Sequence, residues 1–235
     1  DDIGELDTDE EAASYWRSET GIARDHILPF GRKDNFWEMG DTGPCGPCSE
    51  VHYDRGPDTC DMQDVPGHVC QVNGDCARFT EIWNLVFIQY NRRSESDLEP
   101  LPAKHVDTGM GFERVVSLLQ GTDSNYQTDL FWPIIERTQK LTGHTDAERE
   151  ANITAYRVIA DHIRAITFLI GDGVKPANDG RGYVLRMVLR RAVRFGRTLG
   201  FTEPFLVDLA DIVVSRFGHV FPEFPARVDF LKASI

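Results

Sequence analysis

Hydrophobic and polar positions recur along this chain with two different periods, and the change of period divides it. In the first part the period is near two. Across residues 49–54, Val51 and Tyr53 fall on one face and Glu50, His52 and Asp54 on the other, which predicts a half-buried strand. Residues 81–90 are apolar on both faces, Ile82, Val86 and Ile88 against Trp83, Leu85 and Phe87, which predicts a central strand covered on both sides. Asn84 shares the first of those faces, where an amide needs hydrogen-bond partners or a ligand. Residues 104–107 read as a further strand, Thr-Gly-Met-Gly at 108–111 as a turn, and residues 112–120 as a helix. Val115, Val116, Leu118 and Leu119 supply its apolar side, and Gly121 stops it.

Around these elements the pattern is less regular. Residues 1–11 hold seven acids and no base and read as frayed; residues 10–18 predict a short helix, with Ala12, Ala13 and Trp16 at helical spacing. A strand is expected near residues 27–30. Residues 40–48 carry too many Gly and Pro for a helix or central strand and predict a tight loop; residues 55–79 read as loop and 93–102 as a polar turn.

Beyond residue 130 the period becomes helical. Residues 130–141 predict a helix and 142–145 a linker. Ile159, Ile163, Ile166 and Ile170 form one stripe. Over residues 183–198, Leu185, Val188, Leu189 and Ala192 make a core side, while Arg186, Arg190, Arg194 and Arg197 line a neighbouring face. A loop at 171–182 separates those two helices, and residues 205–217 give another. The fold class is therefore α+β, with a sheet-bearing domain over residues 1–142 and a helical domain over 143–235.

Composition sharpens this picture. With 41% hydrophobic and 27% charged residues, the 235-residue chain reads as globular and long enough for a real core. No apolar run approaches the ~20 residues of a membrane span, and no signal peptide opens the chain. Five cysteines without a secretory signal point to a reducing compartment, with thiols or metal ligands in preference to disulfides. The net charge of −13 argues against a generic nucleic-acid binder, yet residues 157–200 hold nine Arg/Lys against three Asp. One basic segment in an acidic chain fits a localised RNA contact, and equally a solvated basic helix.

Candidate chemistry clusters in residues 105–121, HVDTGMGFERVVSLLQG. Gly109 and Gly111 stand where strand gives way to helix, and glycines there let a ligand approach the backbone near a helix N-terminus. Asp107 suits an ammonium, and Arg114 suits a phosphate gripped by parallel hydrogen bonds. Taken alone, these residues leave equal room for an ordinary strand-turn-helix with solvated side chains. Cys45 and Cys48 form a Cys-x-x-Cys, each preceded by proline, and read as a structural thiol pair. Cys60, His68, Cys70 and Cys76 offer four zinc ligands of Cys₃His type, although the spacing is not that of a standard finger; free thiols are the other reading.

The same stretch, with its DTGMGxER core, resembles motif 3 of class II aminoacyl-tRNA synthetases in the form carried by the alanyl-tRNA synthetase family. DNFWEMGDTGPCGPCSEVHYDRG at 34–56, EIWNLVFIQYNR at 81–92 and RVIADHIRAITFLIGDGVKPANDGRGYVLRMVLRRAVRFG at 157–196 are similar to that family too, in the family's order. The resemblance implies the C-terminal half of the antiparallel-sheet catalytic domain over residues 1–142, and the start of a helical tRNA-recognition domain after it. It implies activation of L-alanine by ATP, with Mg²⁺, to alanyl-adenylate, and transfer to tRNA(Ala) in the cytoplasm. By position, Trp37 resembles the pocket wall, Asn84 a residue that holds the amino acid, Asp107 the carboxylate that receives its ammonium, and Gly109 the pocket floor. Arg114 resembles the arginine on the ATP γ-phosphate, beside Gly111. Asn178 resembles the residue that reads a G·U pair in the acceptor stem, with Arg186, Arg190, Arg194 and Arg197 on phosphates. Motifs 1 and 2 are expected before residue 1 and an editing domain after residue 235, so the chain reads as an internal fragment that does not activate alanine alone. Two other readings stand beside this one: a non-catalytic module that binds tRNA or ligand, and a zinc-dependent interaction module.

Overall fold

The computed structural model describes residues 7–94 and 97–235. These fall into two compact units, divided between Leu119 and Gln120.

The first unit opens with helix α1 (Glu10–Thr20). Asp9 caps it by accepting from the Ala12 N–H, and Gly21 ends it at φ 69°. Of the segment expected to fray, residues 1–6 lie outside the described residues. The strand expected near residues 27–30 does not form: a 3₁₀ turn at Arg24–His26 is followed by irregular chain. Pro29 removes a donor there, and a strand without its ladder is not stable. The single turn α2 (Arg32–Asn35) leads into β1 (Phe36–Glu38), then β2 (Gly43–Asp54), β3 (Phe79–Ser94), β4 (Asp97–Met110) and α3 (Phe112–Leu119). The four strands form one antiparallel meander in the order β1-β2-β3-β4.

Four expectations are corrected here. The Gly/Pro-rich segment predicted as a loop is strand from Gly43 onward, paired with β1 and β3 and carrying a register shift between Cys45 and Cys48. The irregularity accommodates the prolines, and Gly46 lets the backbones close: a β-carbon there would lie 1.9 Å from the Phe87 carbonyl oxygen. The polar turn expected at 93–102 is mostly hairpin, with Ser94 facing Asp97 and Tyr90 facing Pro100; residues 95 and 96 are outside the described residues. Main-chain pairing needs no apolar pattern, and β4 is an edge strand that tolerates Pro100 and Pro102. The turn expected at 108–111 is extended as far as Met110, so the change to helix rests on Gly111, whose N–H donates to the Ile82 carbonyl at 2.9 Å. Finally, β3 is central by pairing but not covered on both faces. Only Val86 and Arg92 are buried along it, Trp83 is 37% exposed, and α3 is the helix that packs on it. Val106, Met110, Phe112 and Leu119 are exposed as well, Leu119 against expectation.

The second unit is helical: α4 (Trp132–Thr142), α5 (Asp146–Ala151), α6 (Ile153–Gly171), α7 (Gly180–Thr198), α8 (Leu206–Phe217), α9 (Glu223–Ala226) and α10 (Val228–Ser234). It begins earlier than the boundary expected near residue 143. Ile134 and Ile135 of α4 are buried, and α4 packs on α6 and α8; Gly143, at φ 72°, is a turn inside this unit. Thr145 and Glu148 then close a capping box on α5. The predicted stripe holds: Ile159, Ile163, Ile166 and Ile170 are all fully buried. On α7, Leu185 and Ala192 are buried with Gly182 and Gly196, while Val188 and Leu189 are half-buried. Phe168 meets Phe217, Phe221 and Phe224 edge-on at 4.7–5.3 Å. Among the described residues no helix is long and apolar enough to cross a membrane.

The glycines of the sheet separate two outcomes. Gly46→Ala drives a β-carbon into backbone and is expected to lower unfolding free energy by about 1–3 kcal/mol. Gly109→Ala, whose β-carbon meets nothing within 4 Å, stays within about 0.5 kcal/mol. Urea unfolding of both variants measures the difference; equal loss at the two positions would contradict the close approach at Gly46.

Candidate functional site

The register of the sheet decides which sequence-predicted residues meet. Asn84 on β3 faces Gly109 on β4 directly, and on its other side faces Glu50 of β2. Asp107 lies two residues back along β4, opposite Val86, and so shares the Asn84–Gly109 face. Three of the four residues expected around a small zwitterion are therefore adjacent. The fourth, Trp37, is half-buried on β1 opposite Gly46, with β2 between it and β3.

Asn84 is the informative side chain. Its Nδ2 donates to Glu50 Oε1 at 3.2 Å, and the other Glu50 oxygen contacts His52 Nε2 at 2.9 Å. Its Oδ1 is buried without a partner, as is His52 Nδ1. An unpaired buried amide oxygen costs about 1–3 kcal/mol, so a donor is missing from this place. The space over Gly109 is open. Asp107 is exposed at the same face, an anion with room in front of it. Together these provide one acceptor and one anion on a face with open space, a combination whose charge suits a small cation.

Arg114 stands one turn into α3. Its Nη1 donates to the carbonyl and to Oε2 of Glu81, at 2.9 and 2.8 Å, on a side chain that remains 45% exposed. Glu81 is brought beside α3 because Gly111 is hydrogen-bonded to Ile82. The three atoms nearest the Gly111 β-carbon position all belong to the Arg114 side chain.

Sequence reading missed Glu50, His52 and Glu81 as members of this neighbourhood. The signal was present in the alternation Glu50-x-His52 on the polar face of β2, but nothing in one sequence says that β2 adjoins β3 in the register that carries Glu50 to Asn84. Close by, Glu38 binds both Arg32 and Arg92, at 2.6 and 2.7 Å, tying β1 to β3 through the buried Arg92.

The cysteines fall into two groups. Cys45 and Cys48 are both buried, and their thiols point at different carbonyls, those of Tyr90 and Asp34, at 3.8 and 3.9 Å. Burial, then the Glu50 carboxylate, pushes the Cys48 thiol up to about 11, and burial raises Cys45 as well. Both are neutral thiols near pH 7. Cys60, His68, Cys70 and Cys76 form the other group, with their ligand atoms all within 4.8 Å of one another.

In the second unit, Asn178 is exposed in the loop before α7, and Arg186 donates to its Oδ1. Arg190, Arg194 and Arg197 are exposed along α7, and Arg186 is half-buried.

The sequence model of the family described as tRNA synthetases class II (A) matches residues 3–235. A protein of Chlorobium chlorochromatii (strain CaD3) named alanine–tRNA ligase is 51% identical over 229 residues, covering 97% of this chain and 25% of that protein. One of the same name from Chlorobaculum tepidum is 54% identical over 219 residues, covering 92% of this chain and 24% of its own length. A third, from Desulfosudis oleivorans, is 49% identical over 224 residues. The chain spans about a quarter of the length of the curated relatives it matches.

The raised Cys48 thiol makes a measurable claim. At pH 8 its thiolate fraction is roughly two-hundredfold below that of a free cysteine with a pKa near 8.5, so alkylation by iodoacetamide should be slower by about that factor. The sign for stability follows: the contribution of the neutral thiol is complete below about 8.5 and is lost as pH rises through about 11. Peptide mapping after timed alkylation checks it; labelling as fast as free cysteine would remove the buried-thiol assignment.

Proposed function

The chain belongs to the class II (A) tRNA synthetase family, and from that premise we propose that it carries the amino-acid pocket of an alanine–tRNA ligase together with part of its acceptor-stem contact. The observation that carries the reading is the buried, unpartnered Asn84 Oδ1 beside the open space over Gly109, with the Asp107 carboxylate on the same face. In this reading the alanine ammonium donates to Asp107 and Asn84, and its methyl group lies over Gly109. Trp37 is the wall that excludes larger side chains. A pocket of this kind discriminates by size, at about 1–3 kcal/mol per methylene.

The reaction proposed is adenylate formation followed by transfer. The alanine carboxylate attacks the α-phosphorus of ATP, pyrophosphate leaves, and the terminal ribose hydroxyl of tRNA(Ala) then attacks the acyl carbon and releases AMP. Glu50 and Asn84 orient the amino acid; Arg114 takes the γ-phosphate, with the Gly111 backbone at the same strand-to-helix junction. A fixed cation there stabilises charge that builds on the phosphates, and phosphate replaces Glu81 as its partner. Mg²⁺ accompanies the ATP phosphates and needs only one or two protein carboxylates; Glu81, beside Arg114, is of the right kind. A cytoplasmic setting goes with the same reading.

On α7 the proposal assigns Arg190, Arg194 and Arg197 to acceptor-stem phosphates, which set register without reading sequence. Asn178 reads the G·U pair from the minor groove, where the guanine amine lacks its usual partner. Arg186 already occupies one lone pair of Asn178 Oδ1, which fixes the amide and leaves the second lone pair for that amine.

Three variants of the longest natural polypeptide containing this chain test the reading. Asp107→Asn should raise the alanine KM by roughly 30-fold, the low end of about 2–5 kcal/mol because Asp107 is exposed, and change the ATP KM far less. Equal weakening of both substrates would point to misfolding and away from an ammonium contact. Asn178→Ala should lower aminoacylation of G·U tRNA to the level of a G·C variant while alanine-dependent pyrophosphate exchange stays intact. Arg190→Ala should weaken both RNAs alike and flatten the salt dependence. Full G·U preference retained by Asn178→Ala would leave Asn178 as a turn residue only.

A further inference from the structure

Residues 55–78 carry the chain from the end of β2 to the start of β3 with one short 3₁₀ turn, Pro57–Thr59, as regular structure. A connection of that length inside a compact unit needs something other than a ladder to hold it. Its own turns fold it back: the His68 N–H reaches the Val65 carbonyl and the Gly74 N–H that of Gln71, with Gly67 at φ 79° and Asn73 at φ 55°. The result is convergence of three thiols and one imidazole. Cys60 and Cys76 are buried, Cys70 and His68 half-buried, and their four ligand atoms all lie within 4.8 Å of one another. His68 Nε2 is 3.3 Å from Cys60 Sγ and 3.5 Å from Cys70 Sγ.

We propose that Cys60, His68, Cys70 and Cys76 bind one zinc ion, which fastens the connection between β2 and β3. The donor set decides the metal. Three thiolates and an imidazole at the corners of a tetrahedron suit Zn²⁺, and Zn–S of about 2.3 Å with Zn–N of about 2.0–2.1 Å puts sulfur and nitrogen about 3.5 Å apart. The two thiol–imidazole distances already have that value before any ion enters. A disulfide would use two of the thiols and leave the third and the imidazole unexplained; all five cysteines of the chain are free.

The surroundings fit a charged centre. Zn²⁺ with three thiolates and a neutral imidazole carries one net negative charge. The Arg78 guanidinium faces Cys70, and it is held in place by both oxygens of Asp54 at 2.7 Å. The Met62 backbone N–H faces Cys60, and Asp61 Oδ1 accepts from the Ala77 N–H at 2.9 Å, which closes the far end of the loop. Hydrogen bonds of this kind orient metal ligands from outside. The inference depends on no substrate, so it stands or falls apart from the alanine reading.

Elemental analysis of the full chain, purified without chelator, should return one zinc per chain, and less than a tenth of an equivalent overturns the site. Cobalt put in place of zinc should give the visible absorption of a tetrahedral thiolate complex; a spectrum without thiolate charge transfer overturns it on the unaltered chain, whatever the variants do. Cys70→Ser and His68→Ala should each weaken zinc binding at least tenfold, whereas Cys45→Ser retains it. One equivalent persisting in the double variant Cys60→Ser/Cys70→Ser would place the metal elsewhere. Chelation should raise amide exchange over residues 55–78 and lower the melting temperature of the chain; exchange there unchanged by zinc removal would refute the fastening role.

Discussion

β3 pairs with β2 on one side and with β4 on the other along nearly its whole length, and the neighbours of Asn84, Asp107 and Gly109 follow from that double register. Asn84 meets both Glu50 and Gly109 because the two ladders agree at that row. Slipping either by one residue would turn Asn84 or Asp107 to the opposite face and dissolve the arrangement. The irregularities lie outside the row itself, between Cys45 and Cys48, between Val51 and His52, between Ile88 and Tyr90 and between Arg92 and Ser94. They let prolines and the close backbone approach at Gly46 enter the sheet without disturbing the pairing at Asn84.

Charge pairs fasten the ends of this sheet. Glu38 joins Arg32 to the buried Arg92, Asp54 grips Arg78 at the β2–β3 end, and Glu81 holds Arg114 where β4 passes into α3. Pairs as exposed as Arg114–Glu81 contribute about 0–1 kcal/mol to stability. Their value is positional, since each fixes a guanidinium beside a group that needs a cation: phosphate in the case proposed for Arg114, and the thiolate-rich centre proposed for Arg78. Asn84 Oδ1, a buried acceptor without a partner among the described residues, is the opposite case, and the proposed alanine ammonium would supply the donor it lacks.

The helical unit solves a simpler problem. Four isoleucines at helical spacing make α6 its axis, and α4, α7 and α8 close around them. Gly196 admits the Phe205 ring, which lies 2.3 Å from where a β-carbon would stand. Because α7 spends only a narrow stripe on this packing, Arg190, Arg194 and Arg197 face solvent.

The sequence by itself determined what depends on local pattern. The α6 stripe, the basic face of α7, the end of α3 before Gly121 and the strand character around Val51 and Val86 all follow from spacing. The family was legible as well, because long blocks stand in a known order, whereas the anion, the amide and the cation taken alone left equal room for an ordinary strand-turn-helix. Tertiary structure decided what depends on pairing. Local propensity made a loop of residues 40–48 and a turn of 108–111, yet neighbouring strands drew both into the sheet, since a ladder satisfies backbone groups whatever the side chains are. Coverage of β3, the choice of Glu81 as the partner of Arg114 and the placing of α4 with the later helices are relations between distant segments. The same is true of the four metal-type ligands: their spacing along the chain matched no standard finger, and only turns at residues 65–68 and 71–74 bring their donor atoms together.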